Sequence, residues 1–281
     1  MEKISVVTGA TGGMGFATAK IAGEKTTVLI SDVNQDKIDD ALKALRTAGV
    51  KAEGMVCDVT DRNSVCSLAQ KAKLMGEIVA VYSVAGLSPS NQFSNEMIMK
   101  VNAFGTFNTN MEFFEVMANG GCLLNVASST AYWIPEDETP KELFDLAFTD
   151  EEKFKEVMLD LVKDELPAGY AYSKLFVKYF TEKAAFRFGR LKGIRVVSVS
   201  PGVIDTPMTQ NEASKRGANA AMPFCALNRL GTAFVALAQA ITVKRPDKQT
   251  EDKTALTCVG AVFLVRWHGQ QQIKLRHFPL R

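Results

Sequence analysis

The first strand-like run of the chain, Ile4 to Thr8, passes without a linker into Thr8-Gly9-Ala-Thr-Gly-Gly13-Met-Gly15 and then into a helical stretch, Phe16 to Ala22. Glycines at such a junction let the backbone turn sharply and come close to a pyrophosphate. The anion then rests on the helix N-terminus, where free N–H groups and the helix dipole favour negative charge. No Gly-Lys-Ser/Thr closes the loop, so it is not a P-loop. Asp32 ends the next strand, 23 positions after Gly9. A carboxylate there can accept hydrogen bonds from the hydroxyls of an adenine ribose and would repel a 2′-phosphate, and Val33 beside it brings no compensating cation. The combination predicts a nucleotide site that takes NAD in preference to NADP.

The rest of the chain continues the same rhythm. Candidate strands are Ile4 to Thr8, Thr27 to Ser31, Lys51 to Cys57, Ile78 to Val84, Cys122 to Ala127, Ile194 to Val199 and Leu256 to Val265, with helical periodicity between them. One such helix carries Ile38, Ala41, Leu42 and Leu45 on one face and is stopped by Gly49. This predicts an α/β fold, a Rossmann-like, doubly wound parallel sheet of seven strands with its ligand at the carboxyl ends. A single domain is expected over residues 1–269, with a helical insert at 134–168, followed by a basic tail at 270–281 that carries Lys274, Arg276 and Arg281 and no acid.

Composition removes several alternatives. A net charge of +2 over 281 residues is too small to point to nucleic acid or an anionic membrane. No apolar run reaches the roughly 18 residues of a membrane span, and the chain enters a strand pattern at once, so a cytoplasmic protein without a signal peptide is expected. Five cysteines lie scattered without metal or disulfide spacing, and the two histidines, His268 and His277, are both near the end. A Ser-His-Asp hydrolase and a bound metal are therefore not expected.

The stretch Tyr170-Ala-Tyr-Ser-Lys174 places a phenol and an ammonium at i and i+4 on a helix. A cation held within about 4 to 6 Å favours the phenolate, and lowering a tyrosine from ~10 to near 7 requires about 4 kcal/mol. Such a phenol can exchange a proton with an alcohol or ketone. Tyr172, at i+2 from Lys174, points to a different side.

With these motifs in place the chain closely resembles the short-chain dehydrogenase/reductase family in the form that spaces its glycines T-G-x-x-x-G-x-G. The resemblance covers roughly the first 230 residues. It includes Cys57-Asp58-Val59, Val84-Ala85-Gly86 with Val in place of the family's Asn, Val101-Asn102-Ala-Phe-Gly105, Asn125-Val-Ala-Ser128-Ser129 and Ser200-Pro201-Gly202-Val-Ile204-Asp-Thr206. The resemblance implies that Tyr170 is the general acid/base, and that Lys174 lowers its pKa and contacts the nicotinamide ribose. It implies that Ser129 holds the substrate oxygen and that Asn102 positions a water linking Lys174 to solvent. Ser128 and Ser129 both end the strand; alternation sends them to opposite faces, and the family position is matched to the second. The implied cofactor contacts are Gly9, Thr11, Gly12, Gly13, Met14, Gly15, Asp32, Asp58, Val59, Ala85, Gly86, Tyr170, Lys174, Pro201, Gly202, Ile204 and Thr206. The resemblance also implies a homodimer or homotetramer built through the helices bearing Tyr170 and Asn102.

Most members of the family separate serine and tyrosine by about a dozen residues, as the resemblance implies; here some forty intervene. Within the extra segment, Thr139-Pro140-Lys-Glu142 and Thr149-Asp-Glu-Glu152 read as capped helix starts. Phe154, Val157, Met158, Leu161 and Val162 follow as one apolar face. Either that face packs on the body or pairs with another subunit, or it forms the apolar underside of a substrate lid. An insert of this length and place is similar to that of the bacterial 3α-hydroxysteroid dehydrogenase/carbonyl reductase group, which implies a hydroxysteroid or other hydrophobic carbonyl compound. The expected activity is hydride transfer between NAD(H) and a secondary alcohol or ketone. The alternatives are a catalytically silent NAD-binding sensor or regulatory protein of the same fold, and a nucleotide-sugar epimerase, whose relatives usually space their glycines differently.

Overall fold

The computed structural model describes residues 1–88, 93–163, 168–202, 204–206, 231–232, 257–258 and 261–262. The elements in chain order are β1 (Lys3–Thr8), α1 (Gly13–Ala22), β2 (Thr27–Asp32), α2 (Gln35–Thr47), β3 (Ala52–Val56), α3 (Arg62–Met75) and β4 (Glu77–Ser83). They continue with α4 (Asn95–Met99), α5 (Gly105–Val116), β5 (Cys122–Val126), α6 (Lys141–Asp145), α7 (Glu151–Leu161), α8 (Ala168–Lys192) and β6 (Arg195–Val199). The six strands form one sheet in the order β3-β2-β1-β4-β5-β6, every pair parallel. The chain winds outward from β1 in one direction and then returns to add β4, β5 and β6 on the other side. The crevice beyond the carboxyl ends of β1 and β4 is therefore the switch point of the sheet.

Strand alternation divides the core in two. Ile4, Val6 and Leu29 face one layer with α3, α5 and α8, while Val7, Val28 and Ile30 face the other with α1 and α2. Helix α2 forms as its pattern predicts: Ile38, Ala41, Leu42 and Leu45 are buried, the Asn34 side chain accepts the Lys37 N–H at 2.9 Å, and Gly49 follows at φ 79°.

The sheet has six strands among the described residues, against seven expected. The candidate at Leu256 to Val265 lies mostly outside the described residues; its described pieces, Thr257–Cys258 and Ala261–Val262, pair antiparallel with each other and apart from the sheet. The basic tail at 270–281 lies outside the described residues altogether.

The insert is helical, but its starts shift by one residue. Pro140 precedes α6 without a side-chain cap, and α7 is capped by Asp150, whose side chain accepts from Lys153 N at 3.0 Å, rather than by Thr149. Phe154 and Met158 are fully buried, and so is Phe144 of α6. Their partners come from the body. Phe154 lies 5.5 Å from Phe104 and 4.7 Å from Phe176 between ring centroids, Phe144 lies 5.5 Å from Phe176, and Phe148 stacks on Phe180 at 5.2 Å. Polar bonds tie the periphery: Arg62 on α3 reaches both Glu112 and Glu151, and Tyr179 Oη donates to Asp145 at 2.7 Å. The apolar face that a lid would turn toward substrate is thus spent in the core. The side of α8 that carries Phe176 and Phe180, a helix through which the resemblance implies oligomer contacts, meets the insert of its own chain.

Candidate active site

At the carboxyl end of β1 the glycine loop leaves no alternative residue at two positions. Gly9 has φ 65°, and a Cβ on it would sit 2.6 Å from Ala85 Cα. A Cβ on Gly15 would fall 2.0 Å from the Gly9 carbonyl oxygen, far inside any real contact. Behind this turn α1 opens with Gly12 at its N-cap, no side-chain cap and no acid in the first turn. By contrast α2, α3, α4 and α7 are capped by Asn34, Asp61, Ser94 and Asp150. The first amides of α1, including those near Gly13 and Met14, therefore have no internal negative partner, and a Cβ on Gly12 would meet nothing within 4 Å. This open, positively polarised helix end fits a pyrophosphate.

Asp32 follows at the end of β2. Its Oδ2 accepts the Thr11 hydroxyl at 2.7 Å and its Oδ1 accepts the Val33 N–H at 2.8 Å, which fixes the carboxylate beside the loop. Beyond β3, Cys57 N donates to Asp32 O at 2.9 Å and brings Asp58 and Val59 alongside. Asp58 accepts both the N–H and the hydroxyl of Thr60 at 2.8 Å, and Val59 O accepts Asn108 Nδ2 at 2.9 Å. After β4, the Thr8 hydroxyl oxygen accepts from Val84 N at 3.2 Å and Ala85 N at 3.4 Å, so β1 itself clamps the turn to Gly86. Val84, which replaces the family's Asn, packs against the core on the α1 side. On the far side Pro201 O accepts Ser129 N at 2.9 Å, with Gly202, Ile204 and the buried Thr206 following.

The proton-transfer pair lies at the opening of α8. Lys174 is buried, its Nζ donates to Val126 O at 2.8 Å and sits 5.8 Å from the centroid of the Tyr170 ring. Burial pushes the ammonium down to about 8. Burial also pushes the Tyr170 phenol up, opposed by a hydrogen bond with the Ser128 side chain. In the chain itself, desolvation is the larger of the two effects on the phenol. Tyr172 packs against the main core and takes no part.

The serine beside the phenol is Ser128, not Ser129. The alternation argument fails because β5 stops at Val126; Ser128 is the extended residue before a 3₁₀ turn over Ser129–Tyr132, with its Oγ accepting Thr130 N at 3.2 Å. Ser129 already belongs to that turn, and among the described residues its hydroxyl makes no bond to the phenol. The signal in the sequence was Ser128-Ser129-Thr130 itself, a run suited to a side-chain-capped turn rather than a continuing strand. Asn102 reaches the site, but its amide is bonded to the Leu87 backbone and to Ser173.

A switch-point crevice, an uncapped helix end and a tyrosine–lysine pair with its ammonium buried together define a dinucleotide-dependent oxidoreductase. The family model described as short chain dehydrogenase matches residues 3–135 and 161–217, and the chain belongs to that family. The break in the match, 136–160, falls within the insert. The chain is 30% identical over 219 residues to a cyclopentanol dehydrogenase of Comamonas testosteroni, covering 74% of this chain and 76% of the relative. It is 27% identical over 290 residues to an uncharacterized oxidoreductase, YxbG, of Bacillus subtilis, covering 97% and 95%. Among solved structures, an actinorhodin polyketide ketoreductase crystallised with NADPH superposes with a TM-score of 0.65 at 21% identity over 85% of this chain and 88% of that one, a likeness of fold. The protein is accordingly an oxidoreductase acting on the CH–OH group, with a nicotinamide cofactor. No helix among the described residues is long and apolar enough to cross a membrane.

Proposed function

We propose that the chain transfers a hydride between NAD(H) and an alicyclic secondary alcohol or its ketone, with hydroxysteroids as the bulkier members of that class. The observation that carries this reading is the half-buried Tyr170 phenol, bonded to Ser128 and followed one turn later by the buried Lys174 ammonium. The similarity to a cyclopentanol dehydrogenase supports the alicyclic substrate. Asp32, already oriented by Thr11 and Val33 N, supports NAD, because its carboxylate suits ribose hydroxyls and opposes a 2′-phosphate.

The nicotinamide, when bound, supplies or takes up the hydride. Tyr170 gives its proton to the carbonyl oxygen in reduction and recovers it in oxidation. Ser128 holds that oxygen from the other side, in the role first given to Ser129. Lys174, anchored on Val126 O, keeps a positive charge near the phenol as negative charge develops, and reaches the ribose. Gly9, Thr11, Gly12, Gly13, Met14 and Gly15 would hold the pyrophosphate, Asp58 and Val59 the adenine, and Ala85, Gly86, Pro201, Gly202, Ile204 and Thr206 the nicotinamide end. Burial keeps the phenol protonated at neutral pH, the form that reduction needs. Turnover in both directions should therefore fall as pH increases through about 8, where Lys174 loses the charge that stabilises the phenolate while the phenol itself is still protonated.

The free thiols of Cys57, Cys66 and Cys122 suit a reducing compartment, and we place the protein in the cytoplasm. A homodimer or homotetramer would form through surfaces other than the α8 side filled by the insert. NADH absorbance followed with cyclopentanol, larger cyclic alcohols, hydroxysteroids, simple ketones and sugar alcohols tests the reading. Turnover of cyclic substrates, faster with NAD than with NADP, is expected. NADH binding without turnover on any of them would favour the silent sensor.

A further inference from the structure

We propose that Ser173 is a positioning residue that ties the cofactor-side loop Ala85–Leu87 to the turn of α8 carrying Tyr170 and Lys174. The role rests on reading that pair as the proton-transfer site. Asn102 is wholly buried and lies on a π-helical turn, Lys100–Phe104, which interrupts the regular helix between α4 and α5. Widened turns of this kind are frequent at functional sites.

The amide of Asn102 works in both directions. Its Oδ1 accepts the Leu87 N–H at 2.7 Å, while Nδ2 donates to Leu87 O at 3.1 Å and to Ser173 Oγ at 3.2 Å. Ser173, also wholly buried, passes its own hydroxyl hydrogen to the Tyr170 carbonyl at 2.8 Å. Both amide hydrogens and the hydroxyl hydrogen are used, so the relay is fully satisfied. The same few ångströms hold the ammonium: a Cβ on Gly86 would lie 3.1 Å from Asn102 Oδ1 and 3.6 Å from Lys174 Nζ.

The consequence is mechanical. The loop that faces the nicotinamide and the turn that presents the phenol are registered against each other through one hydroxyl. Removing it leaves one buried Asn102 N–H without its acceptor and releases the side-chain bond to the Tyr170 carbonyl. Lys174 and Tyr170 keep their chemistry but lose the fixed distance to the loop.

Hydrogen exchange followed by mass spectrometry on the full chain tests this without turnover. In the unaltered protein NADH should slow exchange at 84–88 and at 170–174 together. In Ser173→Ala, exchange at 84–88 without cofactor should be about tenfold faster, the loss of roughly one buried hydrogen bond. Protection of 170–174 by NADH should disappear while protection of 84–88 persists. Exchange in β2 and α2 should not change, and Ser173→Thr, which keeps the hydroxyl, should restore the original pattern. In turnover, kcat should fall about tenfold with the KM for cofactor unchanged. Unchanged exchange at 84–88 in Ser173→Ala, equal acceleration in β2 and α2, or a Ser173→Thr chain as fast as Ser173→Ala would overturn the proposal. Because the exchange experiment needs only NADH, it decides the coupling even if the alcohol panel gives no turnover.

Discussion

Helices α1 and α7 both follow a turn and both end in the protein core, yet they treat their first amides in opposite ways. Helix α7 supplies its own negative charge: Asp150 caps it, Glu151 and Glu152 fill its first turn, and Arg62 on α3 grips Glu151. Helix α1 supplies none and is preceded by glycine. The first is a closed element that fastens the insert to the body; the second is left open toward the switch point of the sheet. A helix N-terminus is a ligand site when the chain withholds the groups that would otherwise satisfy it.

The largest expected effect lies on the closed side. Phe154 is fully buried among Phe104, Phe107 and Phe176, so Phe154→Ala should cost about 3–5 kcal/mol of stability in urea unfolding. NADH affinity of the folded fraction should stay unchanged; a specific loss of affinity would mean that the insert belongs to the site. On the open side Gly15→Ala, whose methyl would meet the Gly9 carbonyl, should weaken NADH binding by about 100-fold or more in a fluorescence titration. Smaller again is the contrast at the end of β5. Ser128→Ala should lower kcat by about 10- to 100-fold, whereas Ser129→Ala should stay within about threefold. The reverse order would restore Ser129 to the role that family position suggested. Smallest is Asp150→Ala, which should cost about 1 kcal/mol in thermal or urea unfolding and leave NADH binding alone.

What could be read from the sequence follows the range of the interactions involved. The glycine loop was legible because its turn is local: Gly9 holds a positive φ and Gly15 faces the Gly9 carbonyl, although Gly9 is also pressed by Ala85 from far along the chain. The buried stripe of α2 and the Tyr170–Lys174 spacing are local in the same sense. Ser128 was not legible, because a single residue decides where a strand stops, and that decides which hydroxyl meets the phenol. The destination of Phe154 and Met158 was not legible either: an apolar face looks the same in sequence whether it covers substrate or core. Only the folded chain brings Phe104, Phe107 and Phe176 to it from separate helices. The tyrosine shows the limit of pairwise reasoning. Its spacing from Lys174 suggests an acidified phenol, but desolvation pushes the phenol up and the ammonium down, an effect that spacing alone does not carry.

The central claim is that the Tyr170 phenol carries the proton in hydride exchange with an alcohol. It is tested most directly by steady-state turnover of the best cyclic alcohol by Tyr170→Phe, alongside NADH binding to the same preparation. The account predicts a loss of kcat of about 1,000-fold or more with NADH affinity within about threefold of the unaltered chain. Substantial turnover by Tyr170→Phe with NADH affinity intact would contradict it.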